Sequence, residues 1–462
     1  MPLHNEEKMK LPKHHHDNYA YLTTAPVQRV ILTMAVPTIV SMLVTNIYNM
    51  ADTYFVGEIN TQCTAAVGIV FSVMAIIQAA GFFFGHGSGN YISRHLGAKQ
   101  PELAAKMAAT GFVYSLSAGL LIMFFGLLFL RPLALLLGAT PTVLPYAERY
   151  LGIILIGAPF MTASLTMNNQ MRLQGNAAYA MLGILTGAVL NVALDPLFIF
   201  GLGMGIAGAA TATVISQVCG FTVLLLMTRR EGNIRINLRN FSASPTFLKE
   251  IAMGGSPSLM RQGLGSLSTI MLNLAASAYG DAAIAGMTVV NRISFFIYAS
   301  VIGLGQGFQP LCGFCFGARL YGRVRAGFDF CVKLGTVFIT SFAILCFIFA
   351  REIVFEFQSD SSVVEIAAFA FRCQLLTYPL IPFIVTTNMF LQTIRKTGRA
   401  NLVAAARNGL FFVPLIFVLP FFFGLTGVEV CQPVADICAF AISVPIALAT
   451  FRQMQKSLNL QG

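Results

Sequence analysis

A chain of 462 residues with 56% hydrophobic and only 10% charged side chains, and a mean hydropathy of +0.74, is excluded from the water-soluble folds, whose domains carry about 25% charged residues. Its formal charge of +11 would ordinarily raise nucleic acid as a partner, but the basic residues sit in short connections between apolar runs and report topology instead. The cysteines are scattered through apolar segments, where a free thiol behaves as a small hydrophobe, and they form no disulfide framework.

The chain begins with a polar stretch rich in Lys and His, interrupted by Leu11 and Pro12, which does not have the plan of a secretory signal peptide. Three consecutive histidines, His14, His15 and His16, read as incidental tail residues rather than a metal site. Charge-free windows then follow at 30–51, 59–93, 107–130, 150–171, 173–194 and 196–228. Each is long enough for a spanning helix of roughly 17–25 residues, and 196–228 must hold a turn as well. The second half repeats this density with single Arg or Asp interruptions, so twelve helices are expected.

The expected fold is an all-α integral membrane protein with twelve transmembrane helices in two six-helix lobes. Residues 1–29 form a cytoplasmic tail, 30–228 the N-terminal lobe, 229–249 a cytoplasmic connection, 250–452 the C-terminal lobe and 453–462 a cytoplasmic tail. With that topology the inside segments collect Lys8, Lys10, Lys13, Arg29, Arg94, Lys99, Arg172, Arg229, Arg230, Arg319, Arg395 and their neighbours, while the outside segments hold only Arg131, Arg149 and Arg351. That asymmetry places both termini in the cytoplasm.

The halves echo each other. The ladder Gly85, Gly87, Gly89 lines up with Gly303, Gly305, Gly307, LGAK (96–99) with FGAR (316–319), and FGLGMGIAGA (200–209) with FFGLTGVEV (422–430). Six crossings are an even number, so both halves enter from the same side and are related by a pseudo-two-fold axis along the membrane normal, a transporter plan.

Other motifs carry less. Gly203-Met-Gly205-Ile-Ala-Gly208 matches a dinucleotide fingerprint in letters only, since it joins two membrane helices instead of a strand and a helix. Cys312 and Cys315 lack two further ligands nearby for zinc. The spacings Gly81, Gly85, Gly89 and Gly183, Gly187 suit close helix approach. No nucleotide-hydrolysis or hydrolase motif is present, and no enzyme is expected.

Chemistry rests with ionisable groups inside apolar spans, each costing roughly 2.5–3.5 kcal/mol at mid-bilayer. Asp52, Asp195 and Asp436 qualify, and the first two fall in the outer part of their helices. Asn191 and Asp195 share a helix face. Pro196 disfavours helix at Asp195 and would free the Val192 carbonyl at a bend. Thr213 lies at similar depth on the next helix, across the turn at 201–205. Converging carboxylate, amide and hydroxyl oxygens suit Na+, and a desolvated carboxylate suits H+. Asn49, Asp436, His86, Arg292 and Glu429 are secondary candidates. Among them Arg292 reads as the intramembrane cation and His86 as a neutral packing residue, while Arg261, Arg372 and Arg407 are inside or near spans.

YNMADTYFVG (48–57), YISRHLGAK (91–99), the block RLQGNAAYAMLGILTGAVLNVALDPLFIFGLGMGIAGAATATVIS (172–216) and FGLTGVEVCQPVAD (423–436) resemble the multidrug and toxic compound extrusion (MATE) family. The resemblance spans about Ala25 to Arg452. It implies a bacterial inner-membrane antiporter exchanging organic, often cationic, compounds for Na+ or H+ by alternating access. It also implies a coupling cluster at Asp52, Asn191, Asp195 and Thr213 that is the candidate Na+ site. Family members often carry Trp where Glu429 stands, and this chain has none. No cofactor is expected beyond the coupling ion, Na+ or H+. The expected partners are membrane lipid and a small amphipathic cation, not nucleic acid, and the expected state is a monomer. A flippase for lipid-linked sugars is the alternative, and it would require a basic cavity supplied by Arg261, Arg292 and Arg407. A membrane-embedded enzyme or receptor finds no support in the motifs.

Overall fold

The computed structural model describes residues 13–459 apart from Ser359, with side chains described for 18–456. Lys8, Lys10 and the side chains of His14, His15 and His16 lie outside the described residues. Helices occur in the order α1 (Lys13–Thr24), α2 (Val27–Gly57), α3 (Thr61–Gly97), α4 (Pro101–Leu128), α5 (Leu130–Leu136), α6 (Leu144–Leu173), α7 (Ala177–Pro196) and α8 (Ile206–Met227). The second half supplies α9 (Pro245–Ser277), α10 (Asp281–Gly317), α11 (Tyr321–Ile348), α12 (Ala350–Phe357), α13 (Ser361–Thr377), α14 (Ile381–Thr393), α15 (Thr397–Ala405), α16 (Phe412–Phe423) and α17 (Leu425–Asn459).

A 3₁₀ turn at Tyr378–Leu380 joins α13 to α14 as one crossing, and a π turn at Ala406–Leu410 joins α15 to α16. Among the described residues eleven crossings are long and apolar enough for a bilayer. The remaining one is α9, which carries Lys249, Glu250 and Arg261 among serines and glycines. Its 33 residues make a rod of about 50 Å, ample to span, and its polarity is that of a helix turned toward protein. Large side chains elsewhere face outward, Phe421 and Phe422 being 83% and 70% exposed, as lipid-facing positions should be.

Helix α1, the C-terminal part of α17, the 228–244 connection and most described Lys and Arg lie at one end of the bundle, here the basic end. The two lobes, α2–α8 and α9–α17, meet there. On α3, Gly87 packs on the Ile251 backbone and Gly97 on that of Phe314; on α10, Gly307 packs on Ala35 and Gly317 on the Arg94 carbonyl. A Cβ at any of these four positions would overlap its neighbour's backbone, so glycine is what lets the lobes touch. Helix α1 straps the seam. Asn18 Nδ2 donates to the Gln174 and Gly232 carbonyls at 3.3 and 3.1 Å, while Arg323 Nη2 of α11 donates to the Ala25 carbonyl at 2.6 Å.

The contacts Gly97 to Phe314 and Gly317 to Arg94 are reciprocal under a shift of 220 residues. The same shift relates the left-handed residues Lys99 (φ 58°) and Arg319 (φ 59°), and Gly175 (φ 92°) and Arg395 (φ 65°). This corrects the glycine-ladder alignment by two positions: Gly85 and Gly87 correspond to Gly305 and Gly307. Glycines are interchangeable in a letter match, whereas a left-handed turn fixes the register.

Candidate functional site

The site lies toward the end opposite the basic one, where α2, α6, α7 and α8 of the N-terminal lobe converge. Helices α7 and α8 approach closely because Gly187 abuts the Ser216 carbonyl and Gly220 the Gly183 carbonyl. One turn beyond that contact, Asn191 of α7 meets Thr213 of α8. Its Nδ2 donates to Thr213 Oγ1 and to Asp195 Oδ1, each at 3.3 Å. Asp195 is fully buried, and Asn191 and Thr213 nearly so. Asp52 enters from α2, and Tyr150 Oη of α6 donates to its Oδ2 at 3.5 Å. Tyr150 also lies within electrostatic reach of Asp195.

Four buried oxygens here have no donor among the described residues: Asp52 Oδ1, Asp195 Oδ2, Asn191 Oδ1 and, one turn along α8 from Thr213, Ser216 Oγ. A buried polar atom left unpaired costs about 1–3 kcal/mol, and the two carboxylates repel one another away from water. Both penalties are removed by a positive charge. Oxygen from carboxylate, amide and hydroxyl groups is a donor set for a hard cation such as Na+, and either carboxylate can instead take a proton.

Asp52, Asn191, Asp195 and Thr213 are therefore together. Tyr150 and Ser216 went unnoticed in the sequence. A tyrosine near a helix end has the bland reading of an interfacial anchor, and only its depth, matching that of Asp52, could have marked it. Pro196 does not break α7 at Asp195: the helix runs through it with Pro196 at φ −64°, and a π turn at Leu197–Gly201 takes up the irregularity. The Asn49 side chain makes no hydrogen bond among the described residues.

Other expectations change. Arg292 is exposed and has no hydrogen bond or ion pair among the described residues, so it is not the buried cation. Arg172, in the last turn of α6 at the basic end, is buried instead, 2% exposed. Its Nη1 donates to the Gln306 carbonyl at 2.6 Å across the lobe seam, and its Nη2 to Asn169 Oδ1 at 2.6 Å. Depth counting located Arg292 along its helix, but helix rotation decides exposure. His86 is buried between the Phe82 carbonyl (3.1 Å from Nδ1) and Arg172 Nη2 (3.2 Å from Nε2). Since a guanidinium only donates, Nε2 accepts and Nδ1 carries the proton, which is the neutral ring. Glu429 is buried one turn into α17, within electrostatic reach of Cys373 of α13. Asp436 is held by Arg407 Nε at 2.7 Å, so it offers no free carboxylate. Arg372 is half-buried and lies over the Phe347 ring, 5.7 Å from its centroid.

Known proteins share this fold. The MatE family model matches residues 37–197 and again 257–418, one match per lobe. The multidrug export protein MepA of Staphylococcus aureus (strain MRSA252) is 28% identical over 434 residues, covering 93% of this chain and 95% of that protein. A solved structure described as the outward-facing conformation of a multidrug resistance MATE family transporter superposes with a TM-score of 0.90 at 25% identity, covering 97% of this chain and 100% of the other. A MATE structure in complex with MaL6 gives the same TM-score and identity, covering 96% of this chain and 100% of the other. With two lobes that each match the family and a fold shared along almost the whole chain, the protein belongs to the MatE family and is a membrane transporter rather than an enzyme.

Proposed function

We propose that the chain is a multidrug efflux antiporter of the cytoplasmic membrane, exporting small amphipathic organic cations in exchange for Na+ or H+. The observation that carries this reading is the set of four unpaired buried oxygens around Asp52 and Asp195. With the basic end in the cytoplasm, the seam of α3 and α10 closes the inner side and the lobes part toward the outside. An external cation then reaches the acid pair and cancels its charge, which weakens the hold on a cationic substrate and releases it outward. Coupling follows if ion and substrate differ in affinity for the two conformations. Domain limits near 30–228 and 250–452, and action as a monomer, belong to this reading.

A lipid-linked sugar flippase would need free cations for a pyrophosphate, and Arg407 is already neutralised by Asp436. The acid pair is the stronger feature.

The test uses proteoliposomes with pH and sodium gradients imposed separately. Asp195→Asn should lose gradient-driven export of a fluorescent cation while substrate-for-substrate exchange persists. Export at the wild-type rate by Asp195→Asn would remove the acid pair from the mechanism. Whichever gradient drives the wild type names the ion.

A further inference from the structure

The two lobes repeat each other in fold but not in charge, and the register says where they differ. Asn168 Nδ2 donates to the Ala180 carbonyl at 2.8 Å, and Asn388 Nδ2 to the Ala400 carbonyl at 2.7 Å. This pairs the start of α7 with α15 under the shift of 220. Past the π turn at Ala406–Leu410 the C-terminal lobe is one residue longer, a usual effect of a π insertion. Gly208 packs on the Phe198 backbone where Gly427 packs on that of Leu419, a shift of 221 at the start of the N-terminal lobe's own π turn at Leu197–Gly201 and of 219 beyond it. At the turn that follows, Gly205 (φ 57°, ψ −135°) and Gly424 (φ 57°, ψ −137°) are superimposable.

Asn191 and Asp195 thus correspond to Phe412 and Ile416, both buried, and Thr213 to Gln432. The C-terminal lobe has no acid at that place. Its acid, Asp436, sits one turn further along α17, and Gly187 of the N-terminal lobe is matched by Arg407.

Asp436 is wholly buried and fully served. Arg407 Nε donates to Oδ1 at 2.7 Å, Gln432 Nε2 to Oδ1 at 2.8 Å and Thr377 Oγ1 to Oδ2 at 3.4 Å. The Arg407 guanidinium lies over the Tyr298 ring, 4.4 Å from its centroid. Tyr378 and Cys431 are the other titratable groups within electrostatic reach. Neither Asp436 oxygen lacks a donor, in contrast to Asp52 and Asp195. To bind Asp436, a mobile cation would have to displace a guanidinium and leave it buried without a partner, which is strongly unfavourable.

We infer that Arg407 is a tethered counter-cation that occupies the C-terminal lobe's acid permanently, so that the N-terminal lobe alone exchanges the coupling ion. Arg407 sets how many ions move per cycle. The inference rests on the reading of Asp52 and Asp195 as the exchanging site.

The experiment measures sodium-22 binding and, with a pH indicator, proton uptake by the purified full-length protein. Asp195→Asn alone should lose ion binding; if it binds as the wild type does, the underlying reading fails. Adding Arg407→Gln to Asp195→Asn should restore binding of a single ion, and adding Asp436→Asn as well should abolish it again. Arg407→Lys, which keeps the cation, should restore nothing. A folded Asp195→Asn/Arg407→Gln protein that binds no ion overturns the inference. Should that variant fail to fold, the neutral pair Arg407→Gln/Asp436→Asn decides: the wild-type ion count supports the inference, and a lower count overturns it.

Discussion

The two ends of the transporter are built on opposite principles. At the basic end the lobes touch backbone to backbone through Gly87, Gly97, Gly307 and Gly317. A buried ion pair is added there: Glu250 of α9 receives Arg94 Nη2 of α3 at 3.4 Å and is also paired with Arg395. Arg94 Nη1 reaches the Thr393 carbonyl at 2.8 Å and Thr393 Oγ1 donates to Asn90 Oδ1 at 3.1 Å. Toward the far end no hydrogen bond joins the lobes among the described residues, and the polar groups there turn inward within one lobe. One end is a seal made of geometry and charge, and the other leaves the buried carboxylate oxygens Asp52 Oδ1 and Asp195 Oδ2 without a donor among the described residues. Around these close backbone contacts one buried apolar cluster spans both lobes, with Tyr91, Ile92 and Leu96 on one side and Phe308, Leu311 and Phe314 on the other.

That contrast can be broken most severely at the axis itself. Gly317→Val places side-chain atoms on the Arg94 carbonyl and should abolish transport while each lobe stays folded. Cys312, buried at this seam, should become reactive to a maleimide in the variant and stay protected in the wild type, read by mass spectrometry of its peptide. A milder effect is expected from Glu250→Gln, which leaves Arg94 buried without its carboxylate. Breaking a fully buried pair costs about 3–5 kcal/mol, and the cost here is smaller because Arg395 is 49% exposed and partly screened. The variant should shift the population toward the state open at the basic end, measured as partial Cys312 labelling and slower export. The smallest effect belongs to Arg292→Gln. With no partner to lose, it should leave stability within about 0.5 kcal/mol and export unchanged; a large loss would return Arg292 to the site.

The parts legible in the sequence were those with a strong energetic signature. Charges are so costly in a bilayer that Asp52 and Asp195 stand out, and the i, i+4 spacing puts Asn191 beside Asp195 without reference to tertiary structure. Thr213 followed because a short turn fixes the relative depth of two helices. Side-chain direction was harder. Arg292 and Arg172 differ in which way the helix faces, something neither depth nor hydropathy records along helices as uniformly apolar as these. Tyr150 was hidden because tyrosine is at home at a membrane surface and needs no partner to explain it. The pairing of Asp436 with Arg407 depends on helix-to-helix contact between residues 29 apart in sequence, and no local pattern links them.

Lys99, Arg319 and Arg395 hold left-handed backbone angles of the kind that glycine adopts without strain. A side chain at such a position costs roughly 1–2 kcal/mol, and in exchange the charge meets the negative end of a helix. Arg395 also reaches Glu250, and Lys99 lies over the Tyr19 ring at 5.1 Å. These hairpin tips are moorings as well as turns. An engineer who replaced them with the glycine that backbone geometry prefers would obtain more relaxed hairpins and a transporter that has slipped its lines.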